Sequence, residues 1–239
     1  MDSQETHAAR TWMVTGASRG LGRAVALAAL EAGHVVVATV RGTHDLPTHD
    51  RLHVRTLDVR DRAGALALVA DVEASIGGVD VLVSNAGHGL IGTAEEVSED
   101  DARTIVETNL LGALWVTQAV LPGMRSRGSG HVVHVSTVGA VGSMPALGLY
   151  NASKWGLEGF VEALAAEVAD LGIRVTIVEL GGLDTEWATA SMRFAEPLPA
   201  YDGLRARLFG TAEVPWPAEG TGGGTSPQDA ADALLAHVA

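Results

Sequence analysis

The 239-residue chain contains no cysteine, few aromatic side chains and far fewer basic than acidic residues. The absence of cysteine excludes disulfides, thiolate metal sites and a cysteine nucleophile, and it fits a reducing compartment, so we expect a cytoplasmic protein. Sixteen Lys and Arg against 29 Asp and Glu give a net charge of −13. Because such a field repels phosphate backbones and anionic lipids, we expect neither nucleic acid nor a membrane as a partner.

Long uninterrupted hydrophobic runs are also missing. The longest weakly polar stretch, residues 132–150, is interrupted by His134, Ser136, Thr137, Ser143 and Pro145, which argues against a membrane span. Residues 1–12 carry charges and lack the apolar centre of a secretory signal. These features predict a soluble protein.

Short β-branched runs alternate with longer Ala- and Leu-rich segments of helical period. This order is typical of βαβ units and predicts an α/β fold, with a parallel sheet covered by helices on both faces. Strands are predicted at 11–15, 34–40, 53–57, 80–84, 131–136 and 173–179. Helices are predicted at 20–32, 61–76, 99–121, 149–171 and from Ser226-Pro227 to about Val238, with Asp61, Ser98 and Ser226 as N-caps.

Residues 186–224 break this rhythm with four prolines and a glycine run, and we interpret them as an insertion in a single domain spanning residues 1–239. The large apolar side chains of this segment are Trp187, Met192, Phe194, Leu198, Tyr201, Leu204, Leu208 and Phe209. They form either a lid over a bulky, lipophilic substrate or a plain cover for the core.

A glycine-rich turn, TGASRGLG at residues 15–22, follows the first predicted strand and opens the first helix. Its glycines permit a tight turn and the close approach of a diphosphate, while the N–H groups of the helix start supply donors. No Gly-Lys-Ser/Thr follows, so the turn does not support a kinase or NTPase. The turn either binds a nucleotide or is a simple structural connection.

The end of the second predicted strand bears on the choice of nucleotide. An Asp or Glu there would accept a hydrogen bond from the 2′-hydroxyl of NAD, but the chain has Val40 and Arg41. Arg41 and Arg19 can instead hold a 2′-phosphate, which favours NADP(H). The alternative is that both are ordinary surface arginines.

Tyr150 and Lys154 lie one helical turn apart, so both project from one face of a predicted helix. An ammonium about 5 Å from the phenol is expected to lower its pKa by roughly two units, so that Tyr150 acts as an acid or base near neutral pH. Taken alone, such a pair is more often an ordinary surface feature.

In combination, these segments resemble the short-chain dehydrogenases/reductases from about residue 13 to 185. Asp58-Val59, the segment SNAG at 84–87, the segment TNLLG around Asn109 and the segment YNASK at 150–154 match family motifs in the right order. The resemblance implies cofactor contacts by Gly16, Ser18, Arg19, Gly20, Leu21, Gly22, Arg41, Asp58, Val59, Asn85, Ala86, Gly87, Tyr150, Lys154, Gly182, Leu183 and Thr185.

The resemblance also implies a catalytic set of four residues. Tyr150 would give or take the proton, Thr137 would hold the substrate oxygen, Lys154 would hold the ribose and lower the phenol pKa, and Asn109 would support a water relay. The implied fold is a doubly wound Rossmann-type sheet with strand order 3-2-1-4-5-6.

Three departures from the family pattern stand out. Thr137 occupies the position of the catalytic Ser; Ser136 is the fallback, but as the neighbour on a strand it would face the opposite side of the sheet. Gly181 replaces the usual Pro of the following motif. No room is left for a seventh strand beyond Val238, so we expect that strand to be absent.

The resulting expectation is an NADP(H)-dependent ketoreductase or alcohol dehydrogenase acting on a bulky, lipophilic carbonyl compound or secondary alcohol. The motifs look most like the hydroxysteroid and retinol branch, and a homodimer through helices 99–121 and 149–171 is expected. The alternatives are an NADP(H)-sensing protein without turnover and an enzyme of the same fold catalysing dehydration or epimerisation. No metal site is expected, and His88 either touches substrate or belongs to the core.

Overall fold

A six-stranded parallel sheet forms the centre of the molecule in the computed structural model, which describes residues 8–140, 142–183, 191–214 and 224–239. Its strands are β1 (Thr11–Val14), β2 (Val35–Val40), β3 (Leu52–Thr56), β4 (Val81–Ser84), β6 (Gly130–Thr137) and β7 (Ile173–Leu180). They lie in the order β3-β2-β1-β4-β6-β7, and every neighbouring pair is parallel. Counted within this sheet, the order is 3-2-1-4-5-6, which confirms the predicted topology.

Seven α-helices lie around the sheet in the described ranges. They are α1 (Gly20–Glu31), α2 (Arg62–Ser75), α3 (Glu99–Val106), α4 (Gly112–Arg127), α5 (Gly148–Val168), α6 (Asp202–Phe209) and α7 (Pro227–Val238). Ser98 accepts a hydrogen bond from Asp101 N and Ser226 from Asp229 N, so both predicted N-caps are confirmed. Asp61 occupies the predicted N-cap position of α2, although its side chain makes no capping hydrogen bond.

The alternation of side chains along the strands divides the core into two layers. Trp12 and Val14 face α1 and α7, whereas Met13 between them faces α2, α4 and α5. All three side chains are fully buried. Helices on both faces therefore explain why the strands are continuous apolar runs rather than alternating ones.

The structure divides the predicted helix 99–121 into three parts. After α3, one turn of π-helix (Glu107–Leu111) precedes α4, and α4 continues to Arg127 beyond the predicted end. The combined stretch is long and apolar enough to cross a membrane, but half of its most apolar window is buried inside the protein. That burial is typical of a core helix.

A second, two-stranded sheet is absent from the sequence-based prediction. β5 (Gly89–Ile91) pairs in parallel with β8 (Met192–Phe194), which places part of the 186–224 insertion directly after the SNAG segment. Three-residue strands carry too little periodicity to be recognised. The insertion also contains a 3-10 turn (Pro199–Tyr201) and α6, whereas Trp187, Pro215 and Pro217 lie outside the described residues.

Candidate active site

A cavity of about 440 Å³ opens at the carboxyl ends of the strands. It lies where the strand order reverses between β1 and β4, the position at which open α/β sheets bind ligands. The residues predicted to contact a cofactor that line it are Gly16, Ser18, Arg19, Gly20, Leu21, Gly22, Arg41, Asp58, Val59, Asn85, Ala86, Gly87, Tyr150, Lys154, Gly182 and Leu183. Thr185, the remaining one, lies outside the described residues.

The glycine turn leaves the backbone open to a ligand at one end of this cavity. Gly16 and Gly20 have φ values of +68° and +55°, which residues with a side chain rarely adopt. A Cβ on Gly22 would lie 2.5 Å from both Asn85 Nδ2 and Gly16 O. Arg19 at the N-cap of α1 makes no side-chain capping bond. The donors of this helix start therefore suit a diphosphate.

Thr15 and Asn85 join the turn to the loop after β4. Thr15 Oγ1 accepts hydrogen bonds from the backbone nitrogens of Asn85 and Ala86, each at 3.0 Å. Asn85 Nδ2 donates to Thr15 O at 2.9 Å. These bonds fix the two walls of the cavity relative to each other.

The charges at the β2 and β3 side of the cavity are mainly positive. Arg19 and Arg41 line it, and Asp58, the one carboxylate among the described lining residues, is held by Arg60 with an Nη2–Oδ2 distance of 2.6 Å. Hydrogen bonding from Arg60 lowers the pKa of Asp58, and the charge of Arg41 acts in the same direction. The cavity is thus a positive region on a protein of net charge −13, which fits an anionic ligand.

Tyr150 and Lys154 meet Thr137 at the other end of the cavity. The two α5 side chains are only 7% and 6% exposed. Tyr150 is hydrogen-bonded to Thr137 at the end of β6, and Lys154 Nζ donates to Val135 O at 2.8 Å. Thr137 Oγ1 also accepts from Gly139 N at 3.2 Å, so its position is fixed. The phenol, ammonium and hydroxyl predicted from the sequence therefore come together.

Burial changes the titration of this pair. It raises the pKa of Tyr150 to about 12, although the bond to Thr137 lowers it. It lowers the pKa of Lys154 to about 8, while the charge of Glu158 raises it. The expected lowering of the phenol pKa is therefore wrong for this environment, because burial disfavours the phenolate by more than the hydrogen bond with Thr137 favours it.

Ser136 and Thr137 point to different partners. The Ser136 hydroxyl donates to the carboxylate of Glu158 on α5, whereas Thr137 contacts Tyr150. Both residues line the cavity, but the hydroxyl beside the phenol belongs to Thr137. The assignment of the catalytic position to Thr137 rather than Ser136 stays a prediction, and the contact with Tyr150 supports it.

Asn109 lies in the π-turn, behind the cavity wall, and is 1% exposed. Its Oδ1 accepts from His88 N at 3.0 Å, and its Nδ2 donates to His88 O at 3.0 Å and to Ser153 Oγ at 3.1 Å. The side chain therefore joins the loop after β4 to α5. This arrangement fixes the backbone that follows the SNAG segment.

Three histidines, His88, His131 and His134, are neutral at pH 7 because they are buried or half-buried. Burial lowers the pKa of His88 to about 4, with Arg193 acting in the same direction, and lowers those of His131 and His134 to about 4 and about 3. His131 contacts Thr176, and His134 contacts Thr117. Among the described residues, no group of three or more His, Asp or Glu is arranged to hold a metal ion.

The lining of the cavity also includes residues outside the predicted cofactor-binding and catalytic sets. They are Thr39, Val40, Gly42, Thr43, Leu57, His88, Thr108, Val135, Ser136, Leu180, Gly181 and Ser191. Most of them end or follow a predicted strand, so the strand ends were the available signal. Thr108 is the first residue of the TNLLG segment, so the family resemblance points to it. Ser191, directly before β8, carries no such signal, because only the folded chain brings it to the cavity.

Comparison with known proteins identifies similar sequences and structures. The pattern described as short chain dehydrogenase matches residues 10–195. Oxidoreductase BOA17 of Botryotinia fuckeliana is 39% identical over 206 residues, with 82% of this chain and 75% of that protein covered. The 17-beta-hydroxysteroid dehydrogenase type 1 of Homo sapiens is 36% identical over 190 residues, covering 72% of this chain and 56% of that protein.

Two solved structures are similar over nearly the whole chain. A short-chain dehydrogenase from Streptomyces avermitilis has a TM-score of 0.85 and 38% identity, with 100% of this chain and 85% of that chain covered. The closed form of serine dehydrogenase complexed with NADP+ has a TM-score of 0.78 and 28% identity, with 94% and 87% covered.

Proposed function

Since the chain belongs to the short-chain dehydrogenase family, we propose that it uses NADP(H) to interconvert a bulky, lipophilic carbonyl compound and its secondary alcohol. The observation that carries this proposal is the meeting of Tyr150, Lys154 and Thr137 in the cavity that the glycine turn opens at its other end. A phenol, an ammonium and a hydroxyl around one position are the groups needed to protonate and hold a carbonyl oxygen.

The preference for NADP(H) is supported by Arg19 and Arg41 in the cavity wall. No carboxylate ends β2, and the nearby Asp58 is held by Arg60, so the ribose end of the site favours a phosphate over a free hydroxyl. The similar serine dehydrogenase was solved with NADP+. The bound cofactor supplies the hydride and, once oxidised, a positive charge near the phenol.

The protonation states favour carbonyl reduction. At neutral pH Tyr150 is protonated and Lys154 is mainly charged, so the phenol is ready to donate a proton to the substrate oxygen. Thr137 positions that oxygen through its hydroxyl. We assign to Lys154 the ribose hydroxyls, and to Asn109 the support of a water relay through its fixed place behind the wall.

A lipophilic substrate is supported by the apolar surroundings of the phenol. The Tyr150 ring packs against Leu90 and Ile105. Met144 and Val138, which follow β6, are exposed large hydrophobic side chains. The related human protein acts, by its name, on a hydroxysteroid. We assign the role of substrate lid to the 186–224 insertion. We also assign a cytoplasmic location to the protein. The contact of a homodimer is assigned to helices 99–121 and 149–171.

The proposal is tested by NADPH consumption across lipophilic ketones, aldehydes and polycyclic ketones, with NADH measured in parallel. We expect turnover with NADPH that falls at least about 1,000-fold in Y150F, because the proton donor is lost. Turnover that persists undiminished in Y150F would exclude the mechanism. Binding of NADPH without oxidation by any carbonyl compound would identify a sensor, and a product without net cofactor change a dehydratase or epimerase.

A further inference from the structure

The last three residues of β6 each contact one residue of α5. The partners on α5 are spaced one helical turn apart: Thr137 contacts Tyr150, Val135 contacts Lys154 and Ser136 contacts Glu158. The first two contacts hold residues of the proposed reaction. The third contact, between Ser136 and Glu158, holds a carboxylate that has no role in the proposed reaction.

Glu158 follows Lys154 by four residues, so the two side chains are neighbours on one face of α5. The Ser136 hydroxyl holds the Glu158 carboxylate against β6, next to the residue whose carbonyl accepts from the ammonium. Glu158 therefore lies in a fixed position beside a cation that is almost completely buried.

A buried ammonium needs a compensating negative charge to remain protonated. Glu158 supplies it, because its charge raises the pKa of Lys154 against the effect of burial. His134 on β6 interacts electrostatically with Lys154. Its ring is neutral at pH 7, so it adds no positive charge that would lower the pKa of Lys154 further.

Other charged groups lie on the elements that pack against α5. They are His131 on β6, Arg174 and Glu179 on β7, Glu99, Asp100, Asp101 and Arg103 on α3, Glu107 in the π-turn, and Asp170 in the 3-10 turn Ala169–Leu171. Glu179 is the nearest alternative in the sheet, since it pairs in register with Ser136 and so points to the same face. It is exposed to solvent, whereas Glu158 is half-buried.

Building on the reductase function proposed above, we propose that Glu158, anchored by Ser136, is a positioning residue that keeps the Lys154 ammonium charged and in place. This assigns different tasks to the two adjacent hydroxyls of β6. Thr137 serves the phenol and the substrate oxygen, and Ser136 serves the ammonium through Glu158.

The sequence offers a direct test, because Lys154 is the only lysine in the chain. Protein labelled with [13Cε]lysine gives a single lysine signal in an NMR pH titration. We expect a midpoint near pH 8 in the wild-type protein and a midpoint about one unit lower in E158Q, which keeps the size of the side chain but removes the charge. An unchanged midpoint in folded E158Q would overturn the proposal.

Variants of the anchor extend the test. S136A is expected to lower the midpoint by less than E158Q, since the carboxylate remains but is no longer held. S136T keeps a hydroxyl and is expected to return the midpoint toward the wild-type value. Equal midpoints in S136A and wild type would contradict the role of the anchor.

Two further carboxylates serve as matched controls. E162Q removes the same charge from an exposed position one turn further along α5, and we expect no change in the lysine midpoint. E179Q is likewise expected to leave the midpoint within a few tenths of a unit. A midpoint that moves in E179Q but not in E158Q would assign the compensating charge to β7 and overturn the proposal.

The titration needs no substrate, so its result is independent of the proposed function. If no carbonyl compound oxidises NADPH but E158Q lowers the lysine midpoint, the reductase function fails and the role of Glu158 stands. If the enzyme is active, the alkaline fall of kcat is expected to move down by the same interval in E158Q, with little change in KM. Circular dichroism confirms that each variant is folded.

Discussion

The buried ammonium of Lys154 serves the proposed reaction but lowers the stability of the folded protein. Burial lowers its pKa from 10.5 to about 8, which corresponds to a cost of about 3 kcal/mol for keeping the ammonium inside the folded protein. Below pH 8 the lysine is charged in both the folded and the unfolded state, so the cost applies in full. It declines between pH 8 and 10.5, where only the unfolded state retains the proton.

We therefore expect K154M to stabilise the protein while abolishing turnover. Methionine fills a similar volume without a charge, so the free energy of unfolding at pH 7 is expected to rise by about 2 kcal/mol. The difference should shrink as the pH rises from 8 to 10.5. Urea denaturation at these pH values measures it, and a K154M protein less stable than wild type at pH 7 would contradict the burial cost.

Thr137 is the residue at which the chain departs from its family most informatively. Its hydroxyl lies beside the phenol, and its methyl group restricts rotation about χ1. T137A is expected to lower kcat by about 100-fold, as loss of a donor to a developing oxyanion does, whereas T137S should stay within about threefold of wild type. Steady-state kinetics of both variants decide this, and a fully active T137A would remove Thr137 from the mechanism.

Among the structural elements, the insertion between β7 and α7 is held to the body by a buried ion pair. Arg205 on α6 and Glu96 in the loop after β5 contact each other, and both side chains are 3% exposed. Glu96 also accepts from Thr93 N and Leu198 N, each at 2.9 Å. Burial raises the pKa of Glu96, but these hydrogen bonds and the contact with Arg205 together lower it by more. The pKa is therefore below its ordinary value, and the carboxylate stays ionised at neutral pH.

Breaking this pair on one side is expected to be costly. R205M leaves a buried carboxylate without its cation and should lower the free energy of unfolding by about 3 kcal/mol, and adding E96Q should recover at least about 1 kcal/mol. R207M, which removes an exposed arginine from the same helix, is the control and should change stability by less than about 0.5 kcal/mol. An additive double variant in urea denaturation would show that the pair is not coupled.

Acid should weaken the same contact. The pKa of Glu96 is below its ordinary value in the folded state, so its contribution is complete above about pH 4.5 and is lost as the pH falls through the lower, folded-state pKa. The ion pair is therefore intact at neutral pH, where the proposed reaction runs.

The elements differ in how well the sequence predicts them. β2 and β4 are almost entirely apolar because both faces are covered, and their runs of Val and Leu locate them to within a residue. The pairing of β5 with β8 joins two three-residue segments about 100 positions apart, and the conformation of the π-turn depends on packing. Neither leaves a periodic pattern, so neither is predictable from one sequence.

At the scale of the whole molecule, the distribution of charge distinguishes the cavity from the surface. The net charge is −13, yet Arg19, Arg41 and Lys154 line the cavity and Asp58 is neutralised by Arg60. Such focusing attracts an anionic cofactor to one place on an otherwise repellent surface. The positions of these charged residues followed from motif spacing, whereas Arg60 became visible only through its bidentate contact with Asp58.

We expect this charge to determine the choice of cofactor. R41A should weaken NADPH binding by about 10- to 100-fold, the effect of losing a charge-assisted hydrogen bond, and leave NADH binding nearly unchanged. R125A, at an exposed position near the end of α4, is the control and should affect neither. Fluorescence titration measures both, and equal losses for NADH and NADPH in R41A would contradict a phosphate contact.

The cavity contains both parts of the proposed site, with the glycine turn at one end and the phenol of Tyr150 at the other. The central claim is that hydride would pass from the nicotinamide of NADPH to the carbonyl carbon of a substrate whose oxygen is held by Tyr150 and Thr137. The most direct measurement uses NADPH carrying deuterium at both C4 positions of the nicotinamide, with mass spectrometry of the alcohol formed from a lipophilic ketone. The account predicts one deuterium at the carbinol carbon with the wild-type protein and almost no labelled product with Y150F. Alcohol formed without the label, or labelled equally by both proteins, would contradict it.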